Sequence, residues 1–135
     1  MKLVGAAVAV VSGDRVLHTL TVGSRQLSPR RPVTDKTAWT EMAGFPYAGT
    51  YVGPDAIISG VFKRIGDDWD GYALKLERLV DGDTTIVGIG TYSGVYKKTG
   101  KSMSARVVHV WDMEDGKAVR FEQFTDTKLV AAAMS

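Results

Sequence analysis

The sequence contains no cysteine, so disulfides, thiolate zinc sites and cysteine nucleophiles are excluded. It holds only two imidazoles, His18 and His109. No metal and no cofactor are expected from so sparse a set of soft ligands. No stretch approaches the roughly 20 consecutive apolar residues of a membrane-spanning helix, so no membrane partner is expected. A strong charge of one sign is lacking too: lysine and arginine exceed aspartate and glutamate by a net charge of +2, with the basic residues dispersed. That argues against a nucleic-acid partner. The densest basic pair, Arg30 and Arg31, lies between Pro29 and Pro32 and reads as a solvated loop. The start, Met1 to Gly13, imitates a secretory signal, but its basic region is one lysine and its apolar run is short. A cytoplasmic location is expected, with export through this segment as the minor alternative.

What is present suits one globular domain. The 135 residues are 44% hydrophobic and 24% charged, enough to bury a core and unlike a chain disordered by charge. In the second half three turn signals, Asp81-Gly82, Thr99-Gly100 and Asp115-Gly116, separate long runs rich in β-branched and aromatic residues. They predict strands at about 70 to 80, 84 to 98, 101 to 112 and 117 to 125, joined as an antiparallel meander. Strands of that length twist and bend. Gly88, Gly90 and Gly94 share one face with Tyr92 and Tyr96, which marks this strand as the place of strongest curl. In the next strand Ala105, Val107, His109 and Trp111 share a face, opposed by Ser104, Arg106, Val108 and Val110. With apolar groups on both faces, one face suits an interior pocket and the outer one a homodimer contact.

Upstream, Pro54 and Asp55 open an amphipathic helix carrying Ile57, Ile58, Val61, Phe62 and Ile65, with Gly66 as its stop. Thr37 to Met42 reads as a short strand with Trp39 and Glu41 on one face. Residues 1 to 36 are atypical; two short helices broken at Ser12-Gly13-Asp14 are expected there, then a loop over about 22 to 34.

Two glycine patterns come close to phosphate-binding motifs and fail. Gly94 to Ser102 has five residues between its glycines where the P-loop requires four, and it joins two strands. Gly88 to Gly94 misses the dinucleotide spacing and sits inside a strand. The acidic cluster Asp67, Asp68 and Asp70 lacks a calcium-loop pattern and reads as hydration of a helix-to-strand turn.

The order of helices, short strand, helix and curved meander resembles the nuclear transport factor 2-like superfamily, especially its SnoaL-like polyketide cyclase and ketosteroid isomerase branches. Trp39 to Ile57 is similar to the first-strand-to-helix segment of SnoaL-like domains. His109-Val110-Trp111, Asp115-Gly116-Lys117 and Phe121 to Thr127 are similar to their last two strands. The likeness covers about residues 37 to 130 and is poor over the first 36. It implies an α+β fold in which a curved antiparallel sheet, a cone or half-barrel, wraps around N-terminal helices. It also implies an enclosed apolar pocket for a small organic ligand. From the ketosteroid isomerase site the resemblance carries the base position to Glu41 and the oxyanion acid to His109. The tyrosine position falls on Ala6, so that donor is missing. The last acid of the epoxide hydrolase arrangement falls on Gln123.

The resulting expectation is an enzyme, of isomerase, cyclase or hydratase type, acting on an apolar cyclic compound by general acid/base chemistry. Glu41, His109 and Gln123 are its catalytic candidates, and Trp39, Tyr47, Phe62, Tyr72, Trp111 and Phe121 its ligand-wall candidates. A carboxyl beside Trp39 is costly to bury unless paired or protonated, which favours a pocket role for Glu41. The blander readings are a core hydrogen bond for His109, a strand tie for Gln123 and plain core for the aromatics. Asp126 reads as a cap on the C-terminal segment. A non-catalytic binding or sensor module and a protein-association domain remain as alternatives.

Overall fold

The protein is described by a computed structural model, in full over residues 33–135. Before them only the backbones of Val10–Ser12 (β1), Arg15–Leu17 (β2), Thr21–Val22 (β3) and Arg25–Gln26 (β4) are described. Ala6, His18, Arg30, Arg31 and most of the signal-like start lie outside the described residues. Where two helices were expected, the described parts are extended: β1 pairs antiparallel with β2, and β3 with β4. Val10, Val11 and Val16 are β-branched and favour that outcome. β4 also falls inside the expected loop.

The main sheet has six strands: β5 (Val33–Glu41), β6 (Gly49–Val52), β7 (Trp69–Gly82), β8 (Thr85–Tyr96), β9 (Ser102–Glu114) and β10 (Lys117–Thr125). Their order is β6-β5-β10-β9-β8-β7, antiparallel throughout except for the parallel β5–β10 pair. The sheet is unclosed and the meander β7 to β10 is the one the turn signals foretold. Asp115 and Gly116 both take positive φ between the paired Glu114 and Lys117, as a two-residue hairpin turn requires. The first turn lies two residues later than the sequence suggests. Gly82 still pairs with Thr85, and Asp83 takes φ 70° while its amide donates to Asp81 Oδ1 at 3.0 Å. β5 begins four residues earlier than expected because Thr37 Oγ1 donates to the Ala118 carbonyl at 2.6 Å, tying its first half to β10.

The helix over 54–68 runs as Pro54–Ile57, a π-helical turn Ile58–Phe62, and Lys63–Asp68. The wide turn carries Val61 and Phe62 inward and leaves Ile58 at the rim. The helix passes Gly66 and ends at Asp68, where Trp69 becomes extended and is drawn into the core. Thr127–Ala133 forms a C-terminal helix whose N-cap is Asp126, its side chain accepting from the Leu129 amide at 3.2 Å. Among the described residues no helix is long and apolar enough to cross a membrane.

Curvature has a local cause. β7 is bulged between Asp70 and Ala73 and again between Leu76 and Arg78, and it folds across β8 where β8 has no side chains. A methyl at Gly90 would stand 2.3 Å from the Lys75 carbonyl oxygen, and one at Gly88 3.0 Å from Leu76 Cδ1. The Gly90→Ala change is therefore expected to force the bend open and to cost about 2–3 kcal/mol in urea unfolding, by the usual scale of overpacking. Gly100→Ala, where nothing lies within 4 Å, serves as the control. Its φ of 69° limits the loss to about 1 kcal/mol of backbone strain. Equal losses at the two positions would remove the bend's dependence on Gly90.

Candidate functional site

Strand register assembles a polar row on the concave face. Glu41 of β5 pairs with Gln123 of β10, Gln123 with His109 of β9, and His109 with Gly88 of β8. Two residues further along each strand, an aromatic row made of Trp39, Phe121 and Trp111 runs behind it. Phe121 stacks on Trp39 with centroids 3.8 Å apart and meets the His109 ring edge-on at 4.8 Å. All three members of the polar row are buried. Their residue types are those that water would normally keep at the surface, so each needs a partner inside.

Trp39 Nε1 donates to Glu41 Oε1 at 2.7 Å, while Glu41 Oε2 is buried without a partner. Burial pushes the Glu41 carboxyl up to about 7, and the indole hydrogen bond offsets part of that rise. The remaining polar groups satisfy one another. The Met42 amide donates to Gln123 Oε1 at 3.4 Å, Gln123 Nε2 donates to the Tyr92 hydroxyl at 3.2 Å, and that hydroxyl lies 2.5 Å from His109 Nε2. Burial lowers the His109 pKa to about 3 and keeps the imidazole neutral, so its tautomer sets which of Tyr92 and His109 donates.

A cavity of about 30 Å³ opens beside this row. Of the residues expected at the site, Trp39, Glu41, Phe62, Tyr72, His109 and Gln123 line it; Val61, Ile65, Ala73, Leu74 and Tyr92 complete the wall. Three expected wall residues stand elsewhere. Tyr47 donates to Asp68 Oδ2 at 2.6 Å, accepts from Trp69 Nε1 at 3.1 Å and carries the Arg64 guanidinium 4.8 Å above its ring. Phe121 and Trp111 form the packing layer behind Trp39, with their centroids 4.5 Å apart. Tyr92 was singled out by its strand face but not by its role; its alternation with Gly88 and Gly90 was the available signal. The distinguishing feature of Tyr72 is not its ring but a buried hydroxyl without a partner among the described residues.

Asp67 pairs with Lys63 at 2.8 Å, Asp68 serves Tyr47, and Asp70 reaches Lys97 at 4.0 Å. Among the described residues no group of His, Asp or Glu is arranged to hold a metal ion. The Gly94 to Ser102 stretch turns from β8 into β9 through Tyr96, whose amide donates to the Lys101 carbonyl at 3.0 Å.

A curved, unclosed six-stranded sheet around one long helix, with a polar row on its concave side, defines a nuclear transport factor 2-like α+β cone. Residues 33–121 match the SnoaL-like domain, and the chain belongs to that family. It is similar to an NTF2-like protein from Burkholderia thailandensis E264, with 55% identity over 77% of this chain and 80% of that one, at a TM-score of 0.76. An NTF2-like protein of unknown function from Burkholderia pseudomallei K96243 shares 25% identity over 77% and 80% of the two chains, at a TM-score of 0.70. The fold is shared with TerC co-crystallised with polyporic acid, at 23% identity, 76% and 80% coverage and a TM-score of 0.69. No curated protein matches the chain.

The two buried ionisable groups act on stability in opposite senses. Folded Glu41 keeps its proton up to about 7 against an ordinary 4.5, so stability falls as pH rises from 4.5 to 7, by ~3 kcal/mol in all. Folded His109 stays unprotonated down to about 3 against an ordinary 6.5, so its contribution grows as pH rises from 3 to 6.5. The two slopes cancel between 4.5 and 6.5. Urea unfolding is expected to show a plateau there with losses on either side; in Glu41→Gln the His109 slope stands alone, so stability is expected to climb from pH 3 to 6.5 and stay level above it. A stability that climbs from pH 6.5 to 7.5 would contradict the placement of Glu41.

Proposed function

We propose that the protein is a small-molecule enzyme in which Glu41 is the general base for an apolar cyclic substrate, an isomerase or cyclase type of reaction. The observation that carries this reading is the carboxyl itself. It is buried, one oxygen is fixed by Trp39, and the other is unbonded at the wall of an otherwise largely apolar cavity. A base of this kind works best when its pKa lies near the working pH, and burial holds Glu41 there. His109 and Gln123 act through Tyr92, keeping its ring and hydroxyl fixed beside the reacting centre. Membership of the SnoaL-like family supports a small-molecule role of the cyclase kind.

Proton abstraction leaves a trace that does not depend on knowing the physiological substrate. In D₂O the protein is expected to accelerate exchange of the α-protons of cyclohexanone or 2-tetralone, followed by NMR. The rate rises with pH through about 7 as Glu41 ionises. Glu41→Gln is expected to lower it by about 10²–10⁴-fold, the usual share of a general base. Exchange that is unchanged in Glu41→Gln sinks the assignment. The second reading, a binding module without chemistry, is favoured by one feature: His109, Tyr92 and Gln123 are occupied with each other. Retained binding without any exchange in the wild type selects it.

The outer face of the sheet supports a homodimer. Val87, Ile89, Val108 and Val110 lie there half-buried in the single chain, with Phe124 43% exposed beside Val108. Ion pairs Arg106–Glu77 and Arg120–Asp112 frame the patch. Covering such a patch with a second copy removes apolar surface from water on both partners. Sedimentation is expected to give a dimer at micromolar concentration and a monomer for Val108→Glu with Phe124→Glu; a monomeric wild type would reject this contact.

A further inference from the structure

Tyr72 and Tyr92 lie side by side on the concave face, their rings 5.2 Å apart, yet their hydroxyls are treated differently. Tyr92 is bonded to both Gln123 and His109. The Tyr72 hydroxyl has no partner, although its oxygen is buried, and its ring is only half-buried. The chain is shaped locally to bring it there: Gly71 takes φ 61° and β7 bulges between Asp70 and Ala73, a device that redirects a side chain. Leaving a hydroxyl buried and unbonded costs stability. The cavity wall holds one other such atom, Glu41 Oε2. Among the described residues no partner satisfies either atom, so both are available to the same guest.

We infer that Tyr72 and Glu41 together recognise a hydroxyl group on the ligand, a phenol or enol oxygen that accepts from the Tyr72 O–H and donates to the Glu41 carboxylate. This deepens the preceding reading and rests on it for the cavity being a ligand site. The chemistry selects the class. A ketone or ether oxygen only accepts, and an ammonium only donates, so neither completes both groups when Glu41 is ionised. A hydroxyl does both through one atom. The aromatic and aliphatic walls from Trp39, Phe62 and Leu74 suit the carbon body that bears it.

Phenol and toluene test this, since they match in shape and differ by the hydroxyl alone. At pH 8, NMR titration of the wild type is expected to show phenol binding about tenfold more tightly than toluene. Tyr72→Phe is expected to erase that preference while leaving toluene unchanged. In the unliganded protein the same substitution removes the unbonded hydroxyl, so Tm is expected to rise by about 4 °C, the scale of 1 kcal/mol in a domain of this size. A fall in Tm would show that the hydroxyl already has a structural partner and would overturn the inference. Equal binding of the two probes, or binding of neither, overturns it too. Failure of the base assignment reads differently: ketone exchange unaffected by Glu41→Gln, with the phenol preference intact, refutes the base and keeps the hydroxyl site.

Discussion

The interior of this protein exists because β7 arches over β8 at positions where β8 carries hydrogen atoms instead of side chains. The Lys75 carbonyl comes so close to Gly90 that no other residue fits without moving backbone. Two bulges in β7 add the local twist that turns a long ladder into a cone. Without that arch Tyr72, Ala73 and Leu74 would lie flat beside Tyr92 and leave no wall opposite the helix. Curvature is thus the condition under which a polar row can be both buried and addressed from one side.

Within that enclosure the polar groups divide into two sets. Met42, Gln123, Tyr92 and His109 form a chain of hydrogen bonds that fixes their positions, while burial keeps the imidazole neutral. Glu41 and Tyr72 are each left with an unbonded atom. A fold under selection for stability alone would pair these or replace them by apolar groups, since unsatisfied buried polar atoms are among the costlier defects of a core. The contrast between these unbonded atoms and the hydrogen-bonded row beside them is the physical argument for the proposed ligand.

Much of this was legible in the sequence because it follows from period and turn chemistry. The hairpins at Thr99-Gly100 and Asp115-Gly116, the glycine face of β8 and the buried helix face of Ile57, Val61, Phe62 and Ile65 are all local facts. Alternation placed Glu41 with Trp39, and His109 on the inner face of β9, but it does not state register. That Glu41, Gln123 and His109 fall in one row depends on β5 lying parallel to β10, a pairing between residues 82 to 85 positions apart that no local pattern encodes. The same limit explains Tyr47, Trp111 and Phe121: periodicity says that an aromatic is buried, not which neighbour stands between it and the cavity. The π-helical turn shows a further limit, since it turns Ile58 outward from a stripe that 3.6-residue spacing would bury whole.

The size of the cavity constrains how any guest enters. About 30 Å³ admits the volume of a water or two, whereas a benzene-sized ligand occupies roughly 150 Å³ of engineered cavity. A cyclic ligand therefore has to displace part of the wall, and the wall is unequal. β5, β9 and β10 are locked by their ladders and by the Trp39–Phe121–Trp111 layer. The helix side rests on Val61 and Phe62, delivered by a π-helical turn whose hydrogen-bonding register differs from the turns on either side. The two sides of the cavity thus differ in kind: Glu41, His109 and Gln123 stand on laddered strands, whereas Val61 and Phe62 come from the helix that lies against them.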